Sequence, residues 1–493
     1  MNRLKEILKD ASLFRKTYIL TLLGCRIIFL QFPAYVFTAF CFAWGLGLVF
    51  YNQRRFKTFF KMRFGLWVAA FLAVMLLSML VCFSVMLPVS FLFFLHALIC
   101  FFVFYGLHTE PGLNFKKELG FIAKAIVYIV TVGNLLGLVF LLFGVHAMFE
   151  INLFGFLQAE MPLTVFENRF TGFFVNPNQL GFLSATALFC LHMLSKQRLR
   201  DEVGKIPNPW VVLCVIANAF SILLCDSNAT FVLVLAYFIA YLAYSFFSQE
   251  KKFMTVFGTI LRTASVIVIS VVLVFSMLMF RTIFNTGFAA VTAQTNSLVD
   301  IIFRGENLIN EFADEEPGGD GEIITFEHEN KNIDSGRFKL WSEGVEIVKL
   351  SPVIGVGFGN IVHYSQTYLS GAFKFDLHHN DAHNGLLTIW MSTGTLGLVL
   401  FCIFGFRFAK HCAQHLFLKG KEYKEDLFPC MFSFLAAYIA YSFFEITLLY
   451  DVSYMVMFFW LIMGYASTYI IQKEQSLGER ALFRTKTLKR TLL

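Results

Sequence analysis

The chain has 493 residues, 57% of them hydrophobic and only 15% charged, with 63 Phe; its mean hydropathy is +0.67. A soluble domain lies nearer half apolar and a quarter charged, so these values exclude a soluble enzyme and imply a polytopic membrane protein. The formal charge of +7 reads as a topology signal and not as a nucleic-acid footprint, because the Lys and Arg cluster between alternate apolar runs.

The N-terminal MNRLKEILKDASLFRK is charged throughout and lacks the small-residue cleavage pattern that follows a signal-peptide core, so no removable signal peptide is expected. Apolar runs long enough to span a bilayer predict about 12 transmembrane helices. They lie near 17–31, 33–51, 65–84, 89–106, 121–143, 179–195, 209–225, 229–247, 263–283, 385–406, 427–447 and 453–471. The first two are short and joined by Gln31-Phe32-Pro33. Basic residues at Arg3 to Lys16, Arg54 to Arg63, Lys196 to Lys205, Lys251-Lys252 and Lys410 to Lys424 fall on one side, which places both termini in the cytoplasm. Arg26 and Lys124 are charges within or beside apolar runs. The 10 Cys fall in spans or beside the cytoplasm, so no disulfide framework is expected in the outer segments. No CxxC or HExxH spacing suggests a metal site.

Two outer segments exceed what a connection needs. The first, about 145–178, ends in ENRFTGFFVNPNQLGF. Asn176-Pro177-Asn178 turns into a span, with Asn178 and Gln179 placed to cap it. Arg169 stands on the side that the charge bias leaves nearly empty of Arg. The second segment, 284–384, contains EFADEEPGGDGEIITFEHEN, an acidic stretch without the ligand spacing of a calcium loop, read as a solvated flap. DSGRFKLWSEGVEIVKLSP then predicts an amphipathic helix on the outer leaflet, capped by Asp334 or Ser335. Its apolar stripe is Phe338, Trp341, Val345 and Val348, with Lys339, Glu343 and Glu346 opposite. Arg337 in its first turn opposes the helix dipole and calls for an anion nearby, unless water alone surrounds it. In GVGFGN, Gly355, Gly357 and Gly359 suit either a tight turn or a backbone passing close to a ligand. HHNDAHNGLLTIWMSTGTLG finally places His378, His379, Asp381, His383 and Asn384 where an apolar run begins.

Three of these stretches, RFTGFFVNPNQLG, GRFKLWSEGVEIVKLSPVIGVGFGN and HNGLLTIWMSTGTLG, occur in that order across Arg169 to Gly397. With them the chain resembles the O-antigen ligase and polysaccharide polymerase family of bacterial membrane glycosyltransferases. The last stretch shows that family's pattern of His, an amide or hydroxyl residue, nine residues and Gly-x-x-Gly, here His383, Asn384, then Gly394 and Gly397. The expected fold class is therefore an all-α polytopic membrane protein of the C-type glycosyltransferase kind. It forms one integral domain over 1–493, with a large extracytoplasmic loop over 284–384 before the tenth span and a basic cytoplasmic tail over 472–493.

The resemblance implies an enzyme of the cytoplasmic membrane that needs no metal or cofactor and inverts the sugar centre. It would pass a glycan from undecaprenyl diphosphate to a saccharide or lipid-linked acceptor hydroxyl on the outer face. Arg169 and Arg337 would hold the diphosphate, since guanidinium binds phosphate bidentately. His383 would take the acceptor's proton or orient the acceptor. His379 and Asp381 would tune His383. Asn384, Gly357, Gly359 and Asn178 complete the substrate-binding candidates. One departure stands out: many relatives open a span near 226 with Ser-Arg, whereas this chain has Asn228. Polymerase and ligase share the motif and stay unseparated. The rival classes are a polysaccharide transporter or flippase, and a non-catalytic assembly component. No matching halves of the kind transporters carry are visible in the sequence.

Overall fold

The computed structural model describes residues 2–82, 86–145, 147–153, 157–247, 256–303, 337–370, 374–375, 382–418 and 427–476. His378, His379, Asp381, the acidic stretch 311–330, the cap candidates Asp334 and Ser335, and the tail beyond 476 lie outside them. The chain opens with α1 (Asn2–Lys9), α2 (Ala11–Gly24), α3 (Gln31–Phe56), α4 (Thr58–Lys61), α5 (Gly65–Val81), α6 (Leu87–Ile99) and α7 (Phe115–Leu142). A three-stranded antiparallel sheet follows, β1 (Ala147–Leu153), β2 (Leu157–Phe166) and β3 (Arg169–Gly172). Then come α8 (Pro177–Leu194), α9 (Gln197–Val203), α10 (Asn208–Leu224), α11 (Asn228–Phe247) and α12 (Val256–Phe303). The last elements are α13 (Arg337–Leu350), α14 (Ile361–Tyr368), α15 (Gly385–Leu418), α16 (Phe428–Tyr441) and α17 (Tyr454–Ser476).

Each apolar run predicted to span holds a helix, and the all-α reading stands apart from the small sheet. Seven of these helices are long and apolar enough to cross a membrane, or eight if the bent pair Gln197–Val203 and Asn208–Leu224 is one span. Helices α2, α5, α8 and α16 are too short or too polar for that test. At α16 the cause is visible. The run continues to 447 in apolar character, but the helix stops at Tyr441 and Leu448 and Leu449 are buried in irregular backbone instead. Conversely, α12 does not end near 283 but runs on to Phe303, so the connection to α13 begins later than residue 284.

Helix α17 is the centre of the bundle, with Val456 through Ile462 all buried. Around it, Trp460 stacks on Phe404 and donates its indole N–H to the Leu448 carbonyl (2.9 Å). Arg15 of α2 is fully buried and bonds Glu110 (2.7 Å) and Glu118 of α7 (2.7 Å), while the Tyr465 hydroxyl donates to Glu118 (2.7 Å). Removing one member leaves buried, uncompensated charge, so Arg15→Ala is expected to cost about 3–5 kcal/mol. Thermal unfolding of the detergent-solubilised protein measures it, and an unchanged melting temperature contradicts it.

Helix α15 is broken. Gly394 (φ 64°, ψ −173°) interrupts it, and the chain at 352–357 fills the gap as an extra strand of backbone. Val356 and Gly357 N–H donate to the Met391 and Ser392 carbonyls (2.9 and 3.0 Å). Thr395 and Leu396 N–H donate to Pro352 and Val353 (2.8 and 3.1 Å). Irregular backbone is tolerated at membrane depth only where protein satisfies it in this way.

Candidate functional site

Three elements bring Arg169 into the bundle. Strands β2 and β3 meet at a two-residue hairpin, Phe166 opposite Arg169, with Glu167 and Asn168 both left-handed (φ 47° and 58°). That is the primed turn that matches strand twist, and Asn tolerates it. The turn delivers Arg169 inward, 5% exposed, where its Nε donates to the Cys225 carbonyl (2.9 Å) and its Nη2 to the Asn178 side chain (2.7 Å). Both partners are uncharged. Burial lowers the Arg169 pKa, and the Arg281 charge works in the same direction, against Cys225, Asp226 and Glu167. Asn178 therefore serves Arg169, and the cap of α8 is Asn176, whose side chain accepts from the Asn178 N–H (2.8 Å) with Pro177 at the first helical position.

A second cluster forms where α15 begins. His383 turns the chain in the left-handed region (φ 43°), and Asn384 caps the helix by accepting from Leu386 and Leu387 N–H (3.1 and 3.0 Å). Gly385 N–H donates to the Ser442 carbonyl (2.7 Å), which ties this turn to the end of α16. Three residues on, Glu445 receives Arg337 Nη2 on one oxygen (3.3 Å) and lies 3.6 Å from His383 Nδ1 with the other. Arg337 Nε also donates to the Phe444 carbonyl (3.2 Å). Glu445 is the anion that the dipole at α13 called for, and with 11% of its side chain exposed Arg337 is not a solvated cation.

The two clusters adjoin. Tyr441, one turn before Glu445, packs on Phe182 (ring centroids 5.1 Å), which lies one turn after Asn178. The Tyr441 hydroxyl lies within electrostatic range of Glu445, Arg337 and Cys225. Helices α8, α11 and α15 begin at this end of the bundle and α10 and α16 finish there. Three helix N-termini thus add partial positive charge to the guanidinium groups.

Two of the groups here were not visible as site residues in the sequence. Glu445 and Arg281 sat inside the apolar runs 427–447 and 263–283. An ionisable residue in such a run is costly in a bilayer, and that cost was the available signal. Arg281 of α12 pairs with Asp226 and donates to the Asn228 side chain (2.9 Å), at the very position where the sequence departs from the relatives' Arg. Arg26 is half-buried in the α2–α3 turn, where its carbonyl accepts from Val175 N–H (3.2 Å), and Lys124 donates to the Val203 carbonyl.

Gly357 and Gly359 lie against neighbouring chain. Gly357 is held against Ser392, and a Cβ on Gly359 would meet the Met86 carbonyl oxygen at 2.5 Å, so both serve close backbone packing between α6 and the break in α15. Asn384 likewise spends its side-chain oxygen on the cap. The amphipathic helix α13 is rotated from the predicted stripe. Leu340, Gly344, Ile347 and Val348 face inward against Leu387 and Met391, Phe338 is exposed, and Glu343 is buried. Burial pushes the Glu343 carboxyl up, opposed by the Ser365 hydroxyl (3.3 Å). At the other end of the bundle His411, His415 and Glu474 lie close enough to share an ion. There Arg63 donates to both His411 and Glu474, so a guanidinium already occupies that group.

Fold and site together define a polytopic α-helical membrane protein with Arg, His and Glu gathered at one end of its bundle. Residues 211–402 match the family model for O-antigen ligase. The match takes in Asp226, Arg281, Arg337 and His383, while Arg169 and Glu445 lie outside it. No curated protein matches the chain. The family supports a glycan-transfer role in surface-polysaccharide assembly, working on lipid-linked glycan in a membrane.

Proposed function

We propose that the protein transfers a glycan from undecaprenyl diphosphate to a hydroxyl of a saccharide acceptor at the outer face of the cytoplasmic membrane. The observation that carries this reading is Arg169, a nearly buried cation whose hydrogen-bond partners are both neutral. Such a charge is costly without a counter-ion, and the donor's diphosphate supplies one. Arg337, anchored on Glu445, is the second fixed cation. As the bond from the sugar to the diphosphate breaks, these guanidinium groups stabilise the leaving charge. His383, 39% exposed at the mouth, takes the proton from the acceptor hydroxyl, and Glu445 behind Nδ1 steadies the imidazolium that forms. Attack opposite the leaving group inverts the sugar centre. The positive-inside bias puts this end of the bundle outside, where lipid-linked donors are the available substrates.

The transporter reading loses support at the same places. Transporters use broken helices to hold substrate, whereas the break at Gly394 is filled by the chain's own 352–357 backbone.

Purified protein in liposomes, supplied with an undecaprenyl-diphosphate-linked oligosaccharide and an acceptor glycan, is expected to join the two and release undecaprenyl diphosphate. No joined product under conditions that preserve the folded protein overturns the reading. Excess EDTA is expected to leave the rate unchanged, because fixed guanidinium groups carry the charge that a metal would otherwise hold; inactivation by EDTA, reversed by a divalent cation, would contradict this.

A further inference from the structure

Arg281 lies on α12, where its neighbours Leu278, Met279 and Phe280 are all exposed. Arg281 alone of these turns inward. Its guanidinium sits over the Phe231 ring (4.6 Å to the centroid) and pairs with Asp226, which is itself left-handed (φ 49°) and buried. It also donates to the Asn228 side chain (2.9 Å) and the Asp226 carbonyl (3.4 Å). Arg169 grips the same short turn from the other side, through the Cys225 carbonyl (2.9 Å). Two guanidinium groups from distant parts of the chain therefore converge on residues 225–228, at the end where α8 and α11 begin. Their charges oppose each other, since Arg281 is among the causes that disfavour the Arg169 cation. Asp226 pairs with Arg281 and also favours the Arg169 cation, as does Glu167 on the hairpin turn. An anion that both guanidinium groups can reach offsets their mutual repulsion in this largely buried setting.

We propose that Arg281 is a further cation of the donor's diphosphate subsite, beside Arg169 and in addition to Arg337, held in place by Asp226, Asn228 and the Phe231 ring. The proposal rests on the glycan-transfer reading and names a residue for its donor site. It assigns α12 a part in the chemistry of the site as well as in the bundle. The rival explanation is that the Arg281–Asp226 pair only fastens α12.

The test removes the pair together, so that no charge is left unpartnered. Protein in phosphatidylcholine nanodiscs is titrated with undecaprenyl diphosphate and, in parallel, with undecaprenyl monophosphate. Wild type is expected to prefer the diphosphate, and the double variant Asp226→Asn/Arg281→Gln to bind it roughly tenfold more weakly, the scale of a lost charge-assisted hydrogen bond. Adding Asn228→Arg to that background returns a cation to the same place and is expected to restore binding. Arg281→Lys keeps the ion pair but loses the bidentate fork and is expected to fall between wild type and the double variant. Equal diphosphate binding by wild type, the double variant and Arg281→Lys overturns the proposal and leaves the transfer reading standing. So does weakened binding that Asn228→Arg does not restore. Wild type that shows no preference for the diphosphate overturns the transfer reading itself.

Discussion

Replacing His383 by Ala is expected to abolish surface glycan in a strain that lacks the native gene, and to let undecaprenyl-linked glycan accumulate at unchanged membrane levels of the protein. The size of the effect follows from the assigned role, since a positioned general base contributes about 10²–10⁴-fold. His383 Nδ1 faces Glu445 at 3.6 Å, a carboxylate placed to steady the imidazolium that a base would become. The backbone at His383 is left-handed, so Ala carries a conformational penalty that is not catalytic. His383→Asn is the matched control, because Asn tolerates that conformation but cannot act as the base. Both variants losing activity at normal expression supports the base. Either one restoring the glycan fully reduces His383 to a helix-entry residue and removes the mechanism. Glu445→Gln keeps the contact to Arg337 but loses the charge behind the imidazole, and is expected to be slow without being dead. The accumulated species also sorts the two activities within the family: single repeat units mark a polymerase, long chains a ligase.

The legible part of this site was the part written in local sequence. His383 and Arg337 each announced themselves by standing at the start of a helical pattern, one with an unusual polar cluster and one with a charge of the wrong sign for the dipole. The resemblance then joined them. Glu445, which physically links the two, was hidden because Phe443 to Leu449 is apolar enough to read as the end of a span. Only tertiary packing shows that α16 stops at Tyr441 and that Leu448 and Leu449 are buried as irregular chain beside Trp460 and Tyr438. The hairpin that carries Arg169 was lost for a similar reason. Its signal is the Glu167-Asn168 turn, two residues in a segment read as a long outer connection. Helix existence was the most legible level, because a bilayer enforces long apolar runs; helix ends and the strand pairing depended on partners far away in sequence. Asn178, Gly357 and Gly359 were assigned to substrate, yet each is spent on holding the scaffold: Asn178 on Arg169, the two glycines on the packing around Ser90 and Ser392.

The same scaffold predicts the largest structural effect. Gly394→Ala is expected to cost the protein its fold, although no substrate is assigned to that residue. Its backbone (φ 64°, ψ −173°) lies in a region open essentially to Gly alone. A Cβ there would stand 2.3 Å from the Val353 carbonyl carbon and oxygen and 2.4 Å from the Ile354 nitrogen. Those atoms belong to the segment whose hydrogen bonds close the break in α15, so they cannot withdraw without leaving buried backbone groups unsatisfied. Backbone strain contributes about 1–3 kcal/mol, and each lost buried hydrogen bond about 1–3 kcal/mol more. Gly355 faces the same junction from the other side, where a methyl group would stand 2.4 and 2.5 Å from the Thr393 and Gly394 nitrogens, so Gly355→Ala is expected to behave alike. Gly405 sits further along α15 with nothing within 4 Å of a Cβ, and Gly405→Ala is the control expected to fold normally. Size-exclusion profiles and melting temperatures of the three variants in detergent provide the comparison. If Gly394→Ala folds as wild type and loses only transfer activity, the Gly-x-x-Gly pair touches substrate. If it fails to fold while Gly405→Ala does not, the motif exists to break a membrane helix and set His383 and Arg337 on the rigid side of the break.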